Sequence, residues 1–206
     1  MDVRESLLRA TVKVFSEAGA RGATTRRIAQ EAGVNEVTLF RHFKSKDELL
    51  ETALKALAEL AADRVLPDLP TNPVAELTDW ARDHHKMLHK YRALVRKTMG
   101  EFEENPSLCA CTCHATIKMT SDLADYLKTL QLRGLANTTF NTHAAATMLM
   151  GALFADAISR DAMPDRFPYA MKDAVDLTMP LFFGAIGLNS GPNLLHSGSN
   201  QKKTTK

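Results

Sequence analysis

Residues 21–46, which read RGATTRRIAQEAGVNEVTLFRHFKSK, constrain the fold of this chain more than any other stretch. Apolar residues recur at helical spacing on both sides of Gly33, and glycine accepts the left-handed backbone that a sharp turn requires. Thr25 is suited to begin one short helix and Asn35 to begin the next, because their side-chain oxygens can accept free backbone N–H groups. The stretch therefore predicts two short helices joined by a tight turn.

Helical patterning continues through most of the chain, and no strand-like alternation stands out. Asn72-Pro73 and Asn105-Pro106 each place a capping side chain before a proline at the first helical position. Ser45 followed by Glu48 matches a capping box. The pattern predicts an all-α fold with helices over 3–18, 26–32, 36–42, 46–65, 73–89, a further stretch ending near 102, 106–134, 137–160 and 169–188.

The positive charge of the chain is concentrated near its start. Residues 21–46 hold six Lys or Arg against two Glu, whereas residues 47–188 hold fourteen Lys or Arg against nineteen Asp or Glu. One face is therefore suited to phosphate groups. We expect no membrane span, because no apolar run reaches the length that one requires. Three cysteines within five residues indicate the reducing cytoplasm rather than a disulfide framework.

The third predicted helix carries side chains suited to the base edges of DNA. A helix in the major groove must expose short polar and apolar groups, while flanking groups hold phosphates. The residues predicted to point inward or toward the turn are Val34, Val37, Phe40 and Phe43. The outward set comprises Asn35, Glu36, Thr38, Leu39, Arg41 and His42. The start of the second helix adds free N–H groups that attract phosphate, close to Thr25, Arg26 and Arg27.

The order and spacing of four segments, 24–29, 32–34, 38–43 and 45–50, resemble the TetR family of bacterial transcriptional regulators. The resemblance implies about nine helices, with a helix-turn-helix DNA-binding domain over 1–47 and a ligand-binding and dimerisation domain over 48–188. The helix over about 46–65 would connect the two, and 189–206 would be a disordered tail. It further implies a homodimeric repressor that is released from a palindromic double-stranded DNA operator by an unidentified small molecule.

Family roles carry over to particular residues of the N-terminal stretch. Thr25, Arg27 and Lys46 would contact the DNA backbone, and Thr38, Phe40 and His42 would lie on the recognition helix. The family usually has tyrosine where this chain has Phe40, which lacks the hydroxyl. Glu36 either accepts from a cytosine amine or occupies a helix start, where the dipole favours an acid, and the second interpretation is preferred. The predicted DNA contacts are Thr25, Arg26, Arg27, Asn35, Glu36, Thr38, Phe40, Arg41, His42 and Lys46.

The helical body supplies candidates for a cavity and for a dimer interface. Methionine and aromatic side chains suit an adaptable apolar pocket, although each could simply fill the core. The candidate ligand-binding residues are Trp80, Met87, Met99, Phe102, Met119 and Tyr126. Small and apolar residues on the last two long helices favour a four-helix interface, the alternative being burial within one subunit. The candidate interface residues are Met148, Ala152, Ala155, Leu181, Phe182 and Ile186.

The segment Cys109-Ala110-Cys111-Thr112-Cys113-His114 leaves an alternative open. Thiolates and an imidazole could bind zinc or copper, with further histidines at 84, 85 and 89, or the thiols could sense redox state. The spacing matches no zinc finger, and small packed residues near a helix start are the preferred interpretation. We therefore expect no metal and no cofactor. No nucleophile elbow and no phosphate-binding glycine loop is present, which argues against an enzyme.

Overall fold

The computed structural model describes residues 2–62 and 65–188. Within these residues the protein is all-helical, as predicted, and two short 3-10 turns lie between the last two α-helices. The helices described are α1 (Val3–Gly22), α2 (Thr25–Glu31), α3 (Glu36–His42), α4 (Lys46–Ala62), α5 (Pro73–Lys90), α6 (Arg92–Gly100), α7 (Pro106–Leu132), α8 (Thr142–Ser159) and α9 (Ala174–Ile186). The predicted tail over 189–206 lies outside the described residues.

Asparagine side chains begin several of these helices. Asn72 Oδ1 accepts the N–H of Ala75 at 3.3 Å, and Asn141 Oδ1 accepts the N–H of Ala144 at 2.9 Å. Each bond satisfies one of the backbone donors that a helix start leaves free. The predicted start of α5 at Asn72-Pro73 is confirmed. The start of α8 was predicted too early, because Asn137 donates its N–H to Ile186 O at 2.9 Å and so packs against the end of α9 instead.

The connection between α8 and α9 is held in a non-helical path by Arg160. Its guanidinium donates to the carbonyl oxygens of Phe167 and Tyr169, and it lies over both aromatic rings at 5.0 and 4.8 Å. Helical backbone was predicted from residue 169, but these contacts delay the start of α9 to Ala174. The buried carboxylate of Asp156 accepts from the same guanidinium and forms an ion pair with it.

Two hydrophobic cores follow one another along the molecule. The first lies among α1–α4 around Phe15, Ile28 and Leu49, and it is closed by Leu94 from α6 and Leu108 from α7. Because α6 and α7 contribute to this core, the N-terminal helices rest on the helical body. No helix in residues 2–62 or 65–188 combines the length and the apolar character needed to cross a membrane.

The second core lies among α5, α7, α8 and α9. Trp80, Leu127, Leu153 and Phe182 are buried there. All four helices bring apolar side chains to this core, so α8 and α9 cannot be apolar only toward a partner. This core holds together α5, α7 and α8, three of the helices that surround the cavity described below.

The end of α1 is attached to the turn after α6. Gly19 interrupts α1 with φ 69°, one residue after the predicted end of the first helix at 18, and the N–H of Ala20 then donates to Glu101 Oε1 at 3.2 Å. Arg21 forms an exposed ion pair of 2.8 Å with Glu104. The N-terminal helices are therefore joined to α6 by a backbone–carboxylate bond as well as by packing.

Candidate nucleic-acid interface and internal cavity

The first residue of α2 is positioned differently from the prediction. Thr24, not Thr25, caps the helix: its extended backbone (φ −76°, ψ 150°) lets its hydroxyl accept the N–H of Arg27 at 3.3 Å. Thr25 lies in the first turn, where its hydroxyl donates to Glu36 Oε2 at 2.9 Å. The Glu36 carboxylate thus joins the starts of α2 and α3, a role that neither interpretation of its sequence position included.

The N-terminus of α3 is capped as predicted. Asn35 Oδ1 accepts both the N–H of Thr38 at 2.8 Å and its hydroxyl at 2.9 Å. The rotation of α3 about its axis, however, differs from the prediction. Leu39, expected outside, is completely buried together with Phe43 one turn later, whereas Val37 and Phe40, expected inside, are 63% and 50% exposed. A helix can bury only one face, and the Leu39–Phe43 pair decides which one.

The exposed face of α3 therefore carries Val37, Phe40 and Arg41, with His42 beside them. Val37 was missed as a candidate. The buried pair at i and i+4 is the signal that could have located it, since positions 37, 40 and 41 share the opposite face. A valine on this face suits contact with a thymine methyl group.

The predicted basic contacts fall into two groups. Arg26 and Arg41 are exposed and form no ion pair with any described residue. Arg27 is held by the carbonyl of Gly22 at 3.2 Å and lies 3.7 Å from Glu17, and the Lys46 ammonium donates to the carbonyl of Ala20 at 2.9 Å. Arg26 and Arg41 are thus available to phosphate, whereas Arg27 and Lys46 also position α2 and α4 against α1.

A cavity of about 600 Å³ lies within the helical body. Side chains from α4 to α8 surround it, and four of the six candidate ligand-binding residues, Met87, Met99, Phe102 and Met119, line it. The other two lie elsewhere. Trp80 stacks on His84 with ring centroids 5.3 Å apart, and the Tyr126 hydroxyl donates to Glu76 Oε2 at 2.5 Å. Both side chains belong to the second core, which corrects their assignment.

His84 is the ionisable imidazole on the cavity wall. Burial lowers its pKa to about 4, and the neighbouring His85 acts in the same direction. The ring is therefore neutral near pH 7. A neutral imidazole offers one N–H donor and one acceptor.

Comparison with known proteins agrees with this geometry. Residues 7–53, from α1 into α4, match the family model described as bacterial regulatory proteins, tetR family. The HTH-type transcriptional regulator YvkB of Bacillus subtilis is 28% identical over 170 residues, which cover 78% of this chain and 84% of that protein. The N-terminal part of the chain, residues 7–53, is therefore similar to the TetR family of bacterial transcriptional regulators.

Solved structures extend the likeness in fold to the helical body. GusR of Salmonella enterica superimposes with a TM-score of 0.72 at 21% identity, covering 90% of this chain and 95% of GusR. SmeT, the repressor of the Stenotrophomonas maltophilia multidrug efflux pump SmeDEF, gives 0.71 at 20% identity with 91% of each chain covered. At these identities the comparison shows a shared fold.

The last two long helices, α8 and α9, present an apolar surface to solvent. Met148 and Ala152 on α8 are exposed, Ala155 is half-buried, and Leu181 on α9 is 77% exposed with Leu177 one turn before it. Two candidate interface residues do not belong to this surface. Phe182 and Ile186 are almost completely buried in the second core of their own subunit, because α9 turns that face toward α5 and α8.

The cysteine segment lies at the start of α7. Cys113 is half-buried on the cavity wall and His114 is exposed, whereas the side chains of Cys109 and Cys111 lie outside the described part of the structure. Among the side chains described, no group of three His, Cys, Asp or Glu converges in a way that could hold a metal ion. The relatives offer no support for the metal- or thiol-sensing alternative.

Proposed function

We propose that this chain is a homodimeric repressor of the TetR family that binds a palindromic operator and is released by a small molecule in the cavity. In this proposal residues 1–47 read DNA and residues 48–188 bind the ligand and the second subunit. The observation that carries the proposal is the arrangement of α4 and α6. Both helices line the cavity, and both pack on α1 of the N-terminal helices.

DNA binding is supported by the exposed face of α3. Arg41 and His42 offer donors to base edges or phosphates, while Val37 and Phe40 offer apolar contact. The free guanidinium of Arg26 lies beside the start of α2, where unpaired N–H groups attract phosphate. At the start of α3, Asn35 Oδ1 already accepts from the N–H and the hydroxyl of Thr38. DNA would therefore use the hydrogen-bonding capacity that these two side chains have left.

Dimer formation is supported by the exposed apolar surface of α8 and α9. In a single subunit, four apolar side chains of this surface are exposed to water: Met148, Ala152, Leu177 and Leu181. Contiguous apolar patches of this kind mark interfaces in soluble proteins. Small residues on α8 let a second pair of helices approach closely. A dimer would place two copies of α3 on the same side of a DNA duplex.

Release by a ligand is supported by α4 and α6, the two helices that line the cavity and also pack on α1. A molecule that fills the cavity changes the preferred positions of α4 and α6, and α1 is attached to the end of α6 through Glu101. A ligand shifts the equilibrium only if it binds the two spacings of the α3 helices with different affinity. The ligand-bound spacing would no longer match successive major grooves, which lie about 34 Å apart.

Selection of binding sites from a random DNA library, followed by footprinting, tests this function. We expect a palindromic consensus whose half-sites are separated by about one or two helical turns, and one symmetric protected region. Binding should weaken steeply with salt, because phosphate contacts release counterions. A single asymmetric half-site, or binding that does not respond to salt, would contradict the proposal.

A further inference from the structure

The cavity wall carries no formal charge among the described residues. No Asp, Glu, Lys or Arg of residues 2–62 and 65–188 lines it, and His84, the imidazole there, is held neutral by burial. A charged group that enters such a cavity loses its hydration without meeting a counter-charge, which is strongly unfavourable. The cavity wall therefore disfavours charged ligands whatever their shape.

Two of the hydroxyl groups on the wall, those of Thr116 and Thr120, are already used as donors. Thr116 donates its hydroxyl to Thr112 O at 3.1 Å, and Thr120 donates to Thr116 O at 2.8 Å, both within α7. These hydroxyls keep lone pairs that can accept, but their protons are engaged. A carboxylate or sulfonate, which accepts several hydrogen bonds, would compete with the helix for each of them.

The aromatic side chains do not compensate for a missing carboxylate. Tyr91 lines the cavity, but the Lys90 ammonium already lies over its ring at 5.0 Å from the centroid. A cationic ligand near Tyr91 would be repelled by that ammonium. Cation–π attraction, the usual means by which an apolar pocket accepts a cation, is thus weakened on this wall.

The mouth of the cavity is apolar as well. Met99, Phe102 and Ile117 line the cavity and are also exposed by about half or more, and Ile117 reaches 66%. Large apolar side chains seldom remain in water together without a function. They give a path along which a molecule can enter without passing a charged group.

We infer that the effector is an uncharged, largely apolar molecule with one hydrogen-bonding group, and that the same carbon skeleton bearing a carboxylate, sulfonate or ammonium is excluded. Neutral His84 can supply a donor or an acceptor to that group. The cavity volume of about 600 Å³ suits a drug-sized molecule. This inference deepens the proposed function, and it depends on that function only in naming the bound molecule an effector.

Two matched probe sets test the inference on the full chain without DNA. The fluorescent probe N-phenyl-1-naphthylamine should bind at least about tenfold more tightly than 8-anilino-1-naphthalenesulfonate, which adds a sulfonate to the same skeleton. At pH 7.5, 1-decanol should displace the neutral probe, and decanoate and decylammonium should require at least about tenfold higher concentrations. Equal affinities across either set, or no saturable binding of either fluorescent probe, would overturn the inference.

A cavity-filling pair locates the binding. Ala115 lines the cavity on α7, whereas Ala110 on the same helix is exposed and does not. Ala115→Trp should abolish neutral-probe binding and Ala110→Trp should not. Circular dichroism would show whether Ala115→Trp keeps its helices, and Val95→Phe on α6 is the second cavity-filling variant. Unchanged probe binding in a folded cavity-filling variant would refute the assignment.

A charge-insertion pair reverses the selectivity. Ile117→Arg places a cation at the exposed mouth of the cavity, and Leu132→Arg places it on the same helix at a 79% exposed site away from the cavity. Decanoate should gain about tenfold in affinity in Ile117→Arg alone. An equal gain in both variants would mean that the anion binds the general surface, which would contradict the inference.

The outcomes separate this inference from the proposed function. Release of selected DNA by 1-decanol or a similar neutral probe, measured by mobility shift, reports on the function. Neutral-probe binding without DNA release would leave the inference standing and remove the release step. DNA release by decanoate at concentrations where 1-decanol has no effect would support the release step and overturn the inference.

Discussion

His85 Nε2 lies 2.7 Å from Asp156 Oδ1, and both side chains are buried. Although burial by itself raises the pKa of the Asp156 carboxyl, hydrogen bonds from Arg160, His85 and Tyr169 lower it further than burial raises it. The carboxylate is therefore ionised near pH 7, and the histidine nitrogen donates. His85 follows His84 of the cavity wall on α5, and Asp156 lies on α8, which carries part of the exposed apolar surface. The hydrogen bond therefore connects these two helices.

Replacing Asp156 should destabilise the subunit strongly. Asp156→Asn keeps the shape but leaves the largely buried guanidinium of Arg160 without its counter-charge, which we expect to lower the free energy of unfolding by about 3–5 kcal/mol. Urea denaturation at pH 7 measures this. Asp161→Asn is the control, because Asp161 pairs with Arg92 and Arg96 at the half-exposed surface, and its loss should cost less than about 1 kcal/mol. Similar losses in both variants would contradict the argument.

The same carboxylate should make stability depend on acid. Its folded pKa is lowered, so its contribution is complete above the unfolded value of about 3.9 and is lost as pH falls through the lower folded value. Asparagine does not titrate. The difference in unfolding free energy between the natural chain and Asp156→Asn should therefore stay constant from pH 7 to about 5 and shrink below about pH 4. A difference that grows in acid would show that the folded pKa is raised.

Gly187 should be intolerant of a side chain. It ends α9 at φ 66°, and a Cβ there would lie 2.2 Å from Asn137 Nδ2. Gly187→Ala should cost about 1–2 kcal/mol for the left-handed backbone, and more if Asn137 cannot move. Gly33→Ala has the same backbone strain, at φ 72°, without a neighbour within 4 Å, and Gly100→Ala has neither. Thermal unfolding should show the largest loss of stability for Gly187→Ala, a smaller loss for Gly33→Ala and the smallest for Gly100→Ala. Any other order would contradict this prediction.

Arg26 should contact phosphate rather than bases. Arg26→Ala should weaken binding to all DNA sequences alike and reduce the slope of log affinity against log salt by about 0.9 per subunit. The control is Arg82→Ala, which removes the same charge from α5, where Arg82 pairs with Asp79 and Asp176. The salt slope of that variant should match the natural chain. A sequence-dependent loss in Arg26→Ala would instead indicate base contact.

Leu181 should be needed for dimer formation but not for folding. Leu181→Arg places a charge on the exposed apolar surface of α9, and sedimentation should detect monomers at concentrations where the natural chain is dimeric. Leu132→Arg is matched in substitution and in exposure, at 79% against 77%, and should stay dimeric. Circular dichroism of both variants should be unchanged. Equal dissociation of both variants would place the interface elsewhere.

Sequence alone located two helix starts that depend on one nearby side chain. Asn35 and Asn72 each accept a backbone N–H three residues onward. Such a bond needs no distant partner, so a local pattern is sufficient. Thr24 and Thr25 show the limit, because both can cap and only the backbone angles, which the packing of α2 decides, select the first.

The features that sequence missed depend on distant contacts. The facing of α3 was wrong for Val37 and Phe40 because their apolar character indicated burial, whereas the core had room only for Leu39 and Phe43. The late start of α9 depends on Arg160, which directly follows the end of α8. Phe182 and Ile186 were indistinguishable from Leu181 by composition, since a helix that is apolar all round does not reveal which face meets its own subunit.

The dual placement of α4 limits how modular this regulator can be. Leu49, Leu50 and Leu54 complete the core of the N-terminal helices, and Leu54 with Leu57 also walls the cavity. A fragment cut at residue 47 would lack three of its core leucines and would behave as a poorly folded peptide. A chimaera that joins these N-terminal helices to a foreign ligand-binding domain must therefore include α4, and α4 brings part of the original cavity wall with it.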